Sequence, residues 1–174
     1  MEIRTIQKRD YAKVSDLIIN SFTNTENGYN GESELVDKIR YTEEYIPELE
    51  IVAIKDNNIL GHALLSEVYL ESCKEVHVGL VLAPIEVDLK YQRLGIGKRL
   101  MEEMENRAIK FDYGFISIMG WPTYYSKFGY KPASKYNIFP PFKGIPDEAF
   151  MIKPIKNKFL NDKSGAIKYS TAFE

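Results

Sequence analysis

The fold class that the sequence predicts is mixed α/β, with one domain formed by residues 1–174. Three observations predict it. The 174 residues, 44% of them hydrophobic, are enough for one sizeable core and too few for two. Short runs with a two-residue hydrophobic period alternate along the chain with longer runs of helical period. Residues 82–98 join an apolar, strand-like run directly to an amphipathic helix.

The first elements are predicted to be one strand and two helices. Glu2–Ile6 alternates apolar and polar residues, as a half-buried strand does. Asp10 is a candidate cap for the next helix, whose apolar stripe would be Val14, Leu17, Ile18 and Phe22. Residues 32–44 predict a second helix, whose inward side chains would be Leu35, Ile39 and Tyr41.

A hairpin and a central strand follow. Strands at 50–55 and 59–70 flank Asp56-Asn57-Asn58, whose residues suit a tight turn. Residues 75–87 are almost continuously apolar, which predicts a strand buried on both faces, with one face formed by Val76, Val78, Leu80 and Leu82. Pro84 cannot donate a ladder hydrogen bond, so it predicts an edge or a bulge within that strand.

The second half of the chain continues with a helix and further strands. The helix has an apolar stripe made of Gly97, Leu100, Met101, Met104, Ala108 and Phe111. The later elements are predicted to be a strand (113–119), a short helix (124–128), a loop with at most a short strand (131–146) and a late strand (150–155).

The corner between the central strand and this helix predicts a site for a pyrophosphate. Gly95 and Gly97 lack a Cβ, so the backbone there can approach a bulky anion. The start of the helix supplies N–H donors and the positive end of its dipole. Arg93 and Lys98 add cations. The alternative is an ordinary strand–turn–helix corner in which the glycines only relieve crowding.

Two better-known phosphate loops are excluded by spacing. A P-loop would need Gly at position 92 and Ser or Thr at position 99, where the chain has Gln92 and Arg99. A dinucleotide fingerprint would need a third Gly at position 100, where the chain has Leu100.

The bulk composition excludes several other classes of protein. A net charge of −2 gives no electrostatic footprint for nucleic acid. The single cysteine, Cys73, excludes an intrachain disulfide, and together with His62 and His77 it lacks the spacing of a metal site. No signal peptide and no apolar run of about 18 residues is present. The sequence therefore predicts a soluble, cytoplasmic protein without a metal, a membrane partner or a nucleic-acid partner.

Two motifs together resemble the GNAT superfamily of N-acetyltransferases. Gln92-Arg93-Leu94-Gly95-Ile96-Gly97 is similar to that family's acyl-CoA loop, Gln/Arg-x-x-Gly-x-Gly/Ala. Tyr124-Tyr125-Ser126-Lys127-Phe128-Gly129-Tyr130 resembles its Tyr-x-x-x-Gly-Phe helix and turn. One helix and one strand separate the motifs, as in the family. The 120–130 segment and the tail at 165–173 most resemble a bacterial branch of predicted acetyltransferases.

The resemblance implies the GNAT fold and a bound acetyl-CoA. In that fold a mostly antiparallel mixed sheet has a bulged, splayed central strand and helices on both faces, and residues from about 156 to 174 would pack on it as an extension. The pyrophosphate would be bound by Gln92, Arg93, Leu94, Gly95, Ile96, Gly97 and Lys98. The pantetheine arm would add to the central strand like an extra β-strand, at the backbone of Ile85 and Val87.

The reaction that the resemblance implies is direct attack of an amine on the acetyl thioester, with N–H groups near Val87 as oxyanion donors. Tyr125, at the family's tyrosine position, is the candidate donor to the departing thiolate, or else a core-packing residue beside Tyr124 and Phe128. Full proton transfer from tyrosine to a thiolate is uphill by roughly 2 kcal/mol, so a hydrogen bond alone is the alternative. Glu86 is the candidate base, or else a salt-bridged or solvated carboxylate.

Two functions fit these motifs. The first is an N-acetyltransferase, monomeric or homodimeric, that transfers acetyl from acetyl-CoA to a primary amine of a small molecule or a protein. The alternative is a non-catalytic acyl-CoA-binding regulatory module. Candidates for an apolar acceptor groove are Tyr29, Tyr41, Trp121 and Phe142.

Overall fold

A computed structural model of the chain describes all 174 residues, which form two compact units. Unit 1 is Met1–Leu65 with Ala83–Arg107, and unit 2 is Ser66–Leu82 with Ala108–Glu174. The chain passes from one unit to the other within β3 (Asn58–Glu71), β4 (Val76–Val87) and α3 (Ile96–Lys110). The prediction of a single domain stays a prediction.

Unit 1 is a four-strand arrangement with helices on both faces. It contains β1 (Glu2–Thr5), α1 (Tyr11–Thr23), α2 (Glu32–Ile39), β2 (Tyr45–Lys55), the first half of β3, the end of β4 and most of α3. The strand order is β1-β2-β3-β4, and β1 runs antiparallel to β2, with Ile3 opposite Ala53. A Cβ on Gly61 would meet Leu100 and Ile96 of α3. His62 therefore points to the opposite face, where α2 ends.

Unit 2 holds the remaining strands. In it β4 pairs with β5 (Phe115–Met119) in parallel, and β5 pairs with β8 (Phe150–Pro154) in antiparallel fashion. The short β6 (Lys131–Pro132) pairs with β8 in antiparallel fashion. The tail predicted as an extension contains a strand, β9 (Gly165–Lys168), which pairs with β3 and with β7 (Ile138–Phe139). The short α4 (Pro122–Tyr125) precedes Gly129, which has φ +86°.

Several predicted elements are wrong in detail. The second helix ends at Ile39 rather than at residue 44, since β2 already begins at Tyr45. Tyr41 is therefore 93% exposed instead of inward. Val76 and Val78 are exposed, so β4 is continuously buried only over residues 79–82. Phe111 lies beyond the end of α3 and is exposed.

Asp10 does not cap α1 as predicted. Its carboxylate accepts a hydrogen bond from the backbone N–H of Gln7 at 2.8 Å and binds the guanidinium of Arg4 at 2.7 and 3.0 Å. Residues 8–10 form a 3-10 turn before α1 begins, and Asp10 is the third residue of that turn. Its carboxylate therefore caps the 3-10 turn rather than α1. None of the four α-helices is long and apolar enough to span a bilayer.

Candidate active site

The glycine corner (Gln92–Lys98) presents unpaired backbone donors at the start of α3. The first backbone hydrogen bond at this end of the helix runs from the Arg99 N–H to the Gly95 carbonyl, at 3.1 Å. The N–H groups of Ile96, Gly97 and Lys98 therefore have no partner within the helix. Gly95 has φ +82°, and a Cβ built on it would meet no atom within 4 Å. The corner thus combines free donors with open space above the backbone.

Positive side chains surround these donors. Arg93 also has a positive φ, +61°, and its exposed side chain forms no ion pair. The Lys98 ammonium lies 3.7 Å from Glu102 in an exposed pair one helical turn away. Exposed pairs of this kind contribute little to stability, so Lys98 can turn to another anion at small cost. The donors and cations of the corner fit the diphosphate of a nucleotide.

Gln92 joins the corner to the end of β4. Its side-chain amide donates to the Val87 carbonyl at 3.2 Å, and the Ser21 hydroxyl donates to the same oxygen at 3.4 Å. Both lone pairs of this carbonyl are thereby occupied. Gln92 is therefore anchored to the strand, while the donors that follow it in the corner remain free.

The end of β4 has one edge without a strand partner in unit 1. Its register with β5 covers only Leu80–Leu82, whereas the Asp88 N–H still bonds to the Leu60 carbonyl of β3 at 2.9 Å. Backbone groups alternate in direction along an antiparallel pair. Since Asp88 points toward β3, the N–H and carbonyl groups of Val87 and Ile85 point to the other edge. This early end of pairing agrees with the splay expected for the central strand, and the peptide bond before Pro84 is cis.

Glu86, the predicted base, belongs to a buried chain of polar side chains. Its Oε1 lies 2.8 Å from Nδ1 of His62, and Nε2 of His62 lies 3.0 Å from Oε1 of Glu50. These side chains come from β4, β3 and β2, which are neighbours in the sheet. All three residues are buried, with at most 6% of their surface exposed. We call Glu50, His62 and Glu86 the Glu–His–Glu chain.

Glu50 is the fully satisfied end of this chain. Arg40 donates to both of its oxygens, at 2.5 and 3.2 Å, and the Tyr45 hydroxyl donates to Oε2 at 2.7 Å. With His62, four donors meet two oxygens, which matches the accepting capacity of a carboxylate. Burial by itself would raise the pKa of Glu50, but the bonds from His62 and Arg40 lower it to about 2. Glu50 is therefore ionised at neutral pH.

Both ring nitrogens of His62 face carboxylate oxygens, an arrangement that favours the positively charged imidazolium. Burial alone would lower the pKa of its imidazole, but the charge of Glu86 and the hydrogen bond to Glu50 raise it to about 9. Burial also raises the pKa of Glu86, and the positive charge of His62 partly opposes that rise. The second oxygen of Glu86, Oε2, is buried and has no hydrogen-bond partner.

Tyr125, the predicted donor, lies in unit 2 at the end of α4. Its ring packs edge-on against Tyr124, with 5.0 Å between centroids, and lies 6.1 Å from the ring of Tyr130. A Cβ on Gly120 would lie 2.5 Å from Cε2 of Tyr125, so glycine at 120 makes room for this ring. Tyr125 is half-buried. Its orientation is thus fixed by aromatic neighbours.

A polar cavity adjoins the exit of β4 in unit 1. It has a volume of about 590 Å³ and is lined by α1 on one side and by residues 88–91 on the other. Ser21, which bonds to the Val87 carbonyl, is part of its wall. The end of β4 is therefore approachable from the side of α1.

The four aromatic residues proposed for an acceptor groove have separate surroundings. In unit 1, Tyr41 is exposed, and the hydroxyl of Tyr29 donates to Glu34. In unit 2, Trp121 is 53% exposed and Phe142 packs edge-on against Tyr169. The groove stays a prediction. No group of three His, Cys, Asp or Glu side chains is arranged to hold a metal ion.

Comparison with known proteins now decides the family. The model of the acetyltransferase (GNAT) family matches residues 15–129. The chain belongs to this family. The uncharacterised N-acetyltransferase YhbS of Escherichia coli K12 is 28% identical over 145 residues, which cover 83% of this chain and 84% of YhbS. The resemblance to GNAT proteins, the fold class and the acyl-CoA-dependent acetyltransferase activity that it implies are confirmed.

Solved structures agree with this assignment. The crystal structure of Escherichia coli YhbS in complex with CoA has a TM-score of 0.87 and 25% identity, covering 99% of this chain and 91% of that one. A GNAT acetyltransferase from Brucella melitensis, solved with acetyl-CoA, has a TM-score of 0.79 and 23% identity, covering 99% of this chain and 97% of that one. At 23% identity, the Brucella melitensis structure is evidence only that the two chains share a fold.

The sequence analysis missed three parts of this site: His62, Glu50 and Arg40. It treated His62 only as a poor metal ligand. One signal was present, since His62 interrupts the apolar run 59–65 of β3, where a histidine has to be buried and paired. The partners themselves lie 10 to 24 positions apart along the chain, and no local pattern links them.

Proposed function

We propose that this protein transfers an acetyl group from acetyl-CoA to a primary amine, by direct attack of the amine within a ternary complex. The observation that carries the proposal is the continuity of the site along one segment of chain. Free donors of the glycine corner, the outward backbone groups of Ile85 and Val87, and the unpartnered Oε2 of Glu86 all lie within residues 85–98. A cytoplasmic location remains a prediction from the sequence.

The corner is proposed to bind the diphosphate of the acyl donor. N–H groups at the start of α3 and the side chains of Arg93 and Lys98 would contact its oxygens, and the open space at Gly95 would admit it. The pantetheine amides would bond to the outward edge of Ile85 and to the Val87 N–H, since the Val87 carbonyl is occupied. The related YhbS was solved with CoA, which supports this role.

Glu86 is proposed to accept the proton that the acceptor nitrogen must lose. A burial-raised pKa suits a carboxylate for this role, because the base then works nearer to neutral pH. Because Oε2 is not exposed, one bridging water would carry the proton. The salt-bridged and the catalytic interpretations of Glu86 are compatible, since His62 engages one oxygen and leaves the other free.

The proposed reaction balances as follows. One C–N bond forms between the amine and the acetyl carbon, and the C–S bond of the thioester breaks. An ammonium acceptor loses two protons: one passes through Glu86 to solvent, and one ends on the sulfur of CoA. Tyr125 is proposed to donate to that departing sulfur. The outward N–H groups near Val87 would stabilise the oxyanion.

Release of free thiol across a panel of small amines and N-terminal peptides tests the proposal. We expect turnover with at least one amine, and a fall in kcat of about 100-fold or more in Glu86→Gln, as for loss of a general base. Tyr125→Phe should lower kcat by about tenfold, whereas the adjacent Tyr124→Phe should leave it unchanged. Tight acetyl-CoA binding without thiol release from any amine would instead favour a non-catalytic acyl-CoA-binding module.

A further inference from the structure

We propose that His62, held by Glu50, is a positioning residue that keeps Glu86 in its carboxylate form and fixes the orientation of that carboxylate, with Oε1 bound and Oε2 free for the reaction. The inference rests on the proposed function, in which Glu86 is the base. It adds residues from β2 and β3 that make no contact with the ligand, and it predicts how the reaction depends on pH.

The direction of the hydrogen bonds supports this role. Glu50 receives two bonds from Arg40 and one from Tyr45, so it is ionised and can only accept from Nε2 of His62. Within the Glu–His–Glu chain, one proton can therefore move: the proton between Nδ1 of His62 and Oε1 of Glu86. If His62 keeps that proton, Glu86 is a carboxylate with one oxygen bound and one oxygen free.

The charges around the pair favour that arrangement. The titratable groups that face His62 are Glu50 from β2 and Glu86 from β4. The guanidinium of Arg40, at the end of α2, neutralises Glu50 and also bonds to Asp37. It stacks on the ring of Tyr11, with 3.8 Å from Cζ to the ring centroid. Arg40 with Glu50 and His62 with Glu86 thus form two buried pairs of opposite charge.

The fixed position of Glu50 makes His62 an effective support. Its four donors come from α2, from the start of β2 and from β3. The bond from Nε2 to this rigid acceptor fixes the plane of the imidazole ring. The direction of the Nδ1–H bond is then fixed as well. Glu86 Oε1 is therefore held, and only a rotation that breaks this bond would turn Oε2 away.

Two substitutions of His62 separate charge from hydrogen bonding. The amide nitrogen of Asn can take the place of Nδ1 and still bond to Glu86, whereas that of Gln can take the place of Nε2 and bond to Glu50. Both remove the positive charge, so both should raise the pKa of Glu86 and shift the acidic limb of kcat/KM upward by about one pH unit or more. At pH 7 we expect about a tenfold loss, smaller for His62→Asn than for His62→Gln, with KM for acetyl-CoA unchanged.

A merely structural role for His62 gives another result. Activity would then fall by the same factor at every pH, or part of the protein would unfold. In either case the acidic limb of kcat/KM, measured on the protein that remains folded, would not move. A fixed limb in folded His62→Asn overturns the proposal. If Glu86→Gln has the pH profile of the unmodified enzyme, the base assignment fails and the role of His62 fails with it. Absence of turnover in the unmodified protein overturns the proposed function itself.

A measurement on the unmodified protein needs neither turnover nor a substitution at His62. The chain has only two histidines, His62 and His77, so nitrogen-15 labelling of histidine gives two sets of imidazole signals, and His77→Gln assigns them. We expect His62 to carry protons on both nitrogens at pH 7 and to titrate near pH 9. A neutral His62 at pH 7 would overturn the proposal whatever the kinetics show.

Discussion

The glycine corner and the Glu–His–Glu chain meet at the end of β4 and satisfy their polar groups in opposite ways. In the corner, the first N–H groups of α3 point into open space, and the side chains of Gln92, Arg93, Leu94 and Lys98 are exposed. In the chain, charged groups are buried, and every polar atom of Glu50 and His62 has a partner within the protein. One oxygen of Glu86 is the exception. The corner is complete only with a ligand, whereas the chain is complete without one.

This difference predicts where a mutation acts. Changes in the corner should alter affinity for the acyl donor and leave stability nearly untouched. Changes in the chain should alter stability and pH dependence and leave that affinity nearly untouched. A mutation that crosses this division would break the comparison.

The largest expected effect comes from a matched pair of arginine substitutions. Arg40→Met removes one partner of a buried ion pair and leaves Glu50 under-compensated, so we expect a loss of about 3–5 kcal/mol in the free energy of unfolding. Arg93→Met removes an exposed, unpaired guanidinium and should change it by less than about 0.5 kcal/mol. Urea denaturation of both variants checks this, and equal losses would contradict it.

The pH dependence of stability is the next effect. The pKa of His62 is raised in the folded protein from 6.5 to about 9. Its stabilising contribution is therefore fully present below pH 6.5 and is lost as pH rises through 9. We expect a fall on the order of 3 kcal/mol across that window. Denaturation curves between pH 6 and pH 10 measure it, and His62→Asn, if folded, should lack this component of the slope.

Two glycines with the same φ angle sharpen the comparison further. Gly95 and Gly144 both have φ +82°, and a Cβ on either would meet nothing within 4 Å. Valine should strain both backbones alike, by about 1–2 kcal/mol. Only Gly95→Val should also block the ligand, with CoA affinity reduced by about tenfold or more, since the added side chain fills the space above the donors. Calorimetric titration of both variants with CoA measures this difference. Equal affinities would show that the glycine corner does not bind CoA.

The smallest expected effect comes from a pair of tyrosines near the start of β2. Tyr45→Phe deletes one of four donors to Glu50 and should cost about 1 kcal/mol of stability. Tyr41→Phe changes a side chain that is 93% exposed and should cost nothing measurable. If thermal unfolding shows the same midpoint for both, the Tyr45 hydroxyl does not help to hold Glu50.

The glycine corner could be predicted from the sequence because its physics is local. Gly95, Gly97 and the helix that follows are consecutive, so spacing alone indicated free donors and a close approach. Family resemblance then supplied the expected ligand. The open edge at Ile85 and Val87 was predicted from Pro84 together with that resemblance, and the short β4–β5 register agrees with it.

The Glu–His–Glu chain could not be predicted because strand pairing creates it. Glu50, His62 and Glu86 are each charged or polar residues that, taken singly, are usually solvated. Only the order β2-β3-β4 brings them side by side. The bond between Arg40 and Glu50 has the same origin, because it joins the end of α2 to β2.

The hydrogen bond from Gln92 to the Val87 carbonyl ties the glycine corner to the strand edge at a set spacing. A ligand long enough to reach both places binds them as a bivalent molecule, so its second contact forms at high effective concentration. A nucleotide alone, or a pantetheine alone, meets only one of the two and gains no such avidity. If the corner and the strand edge bind the acyl donor as proposed, we expect the protein to prefer the intact thioester carrier over its fragments, even though each contact is modest.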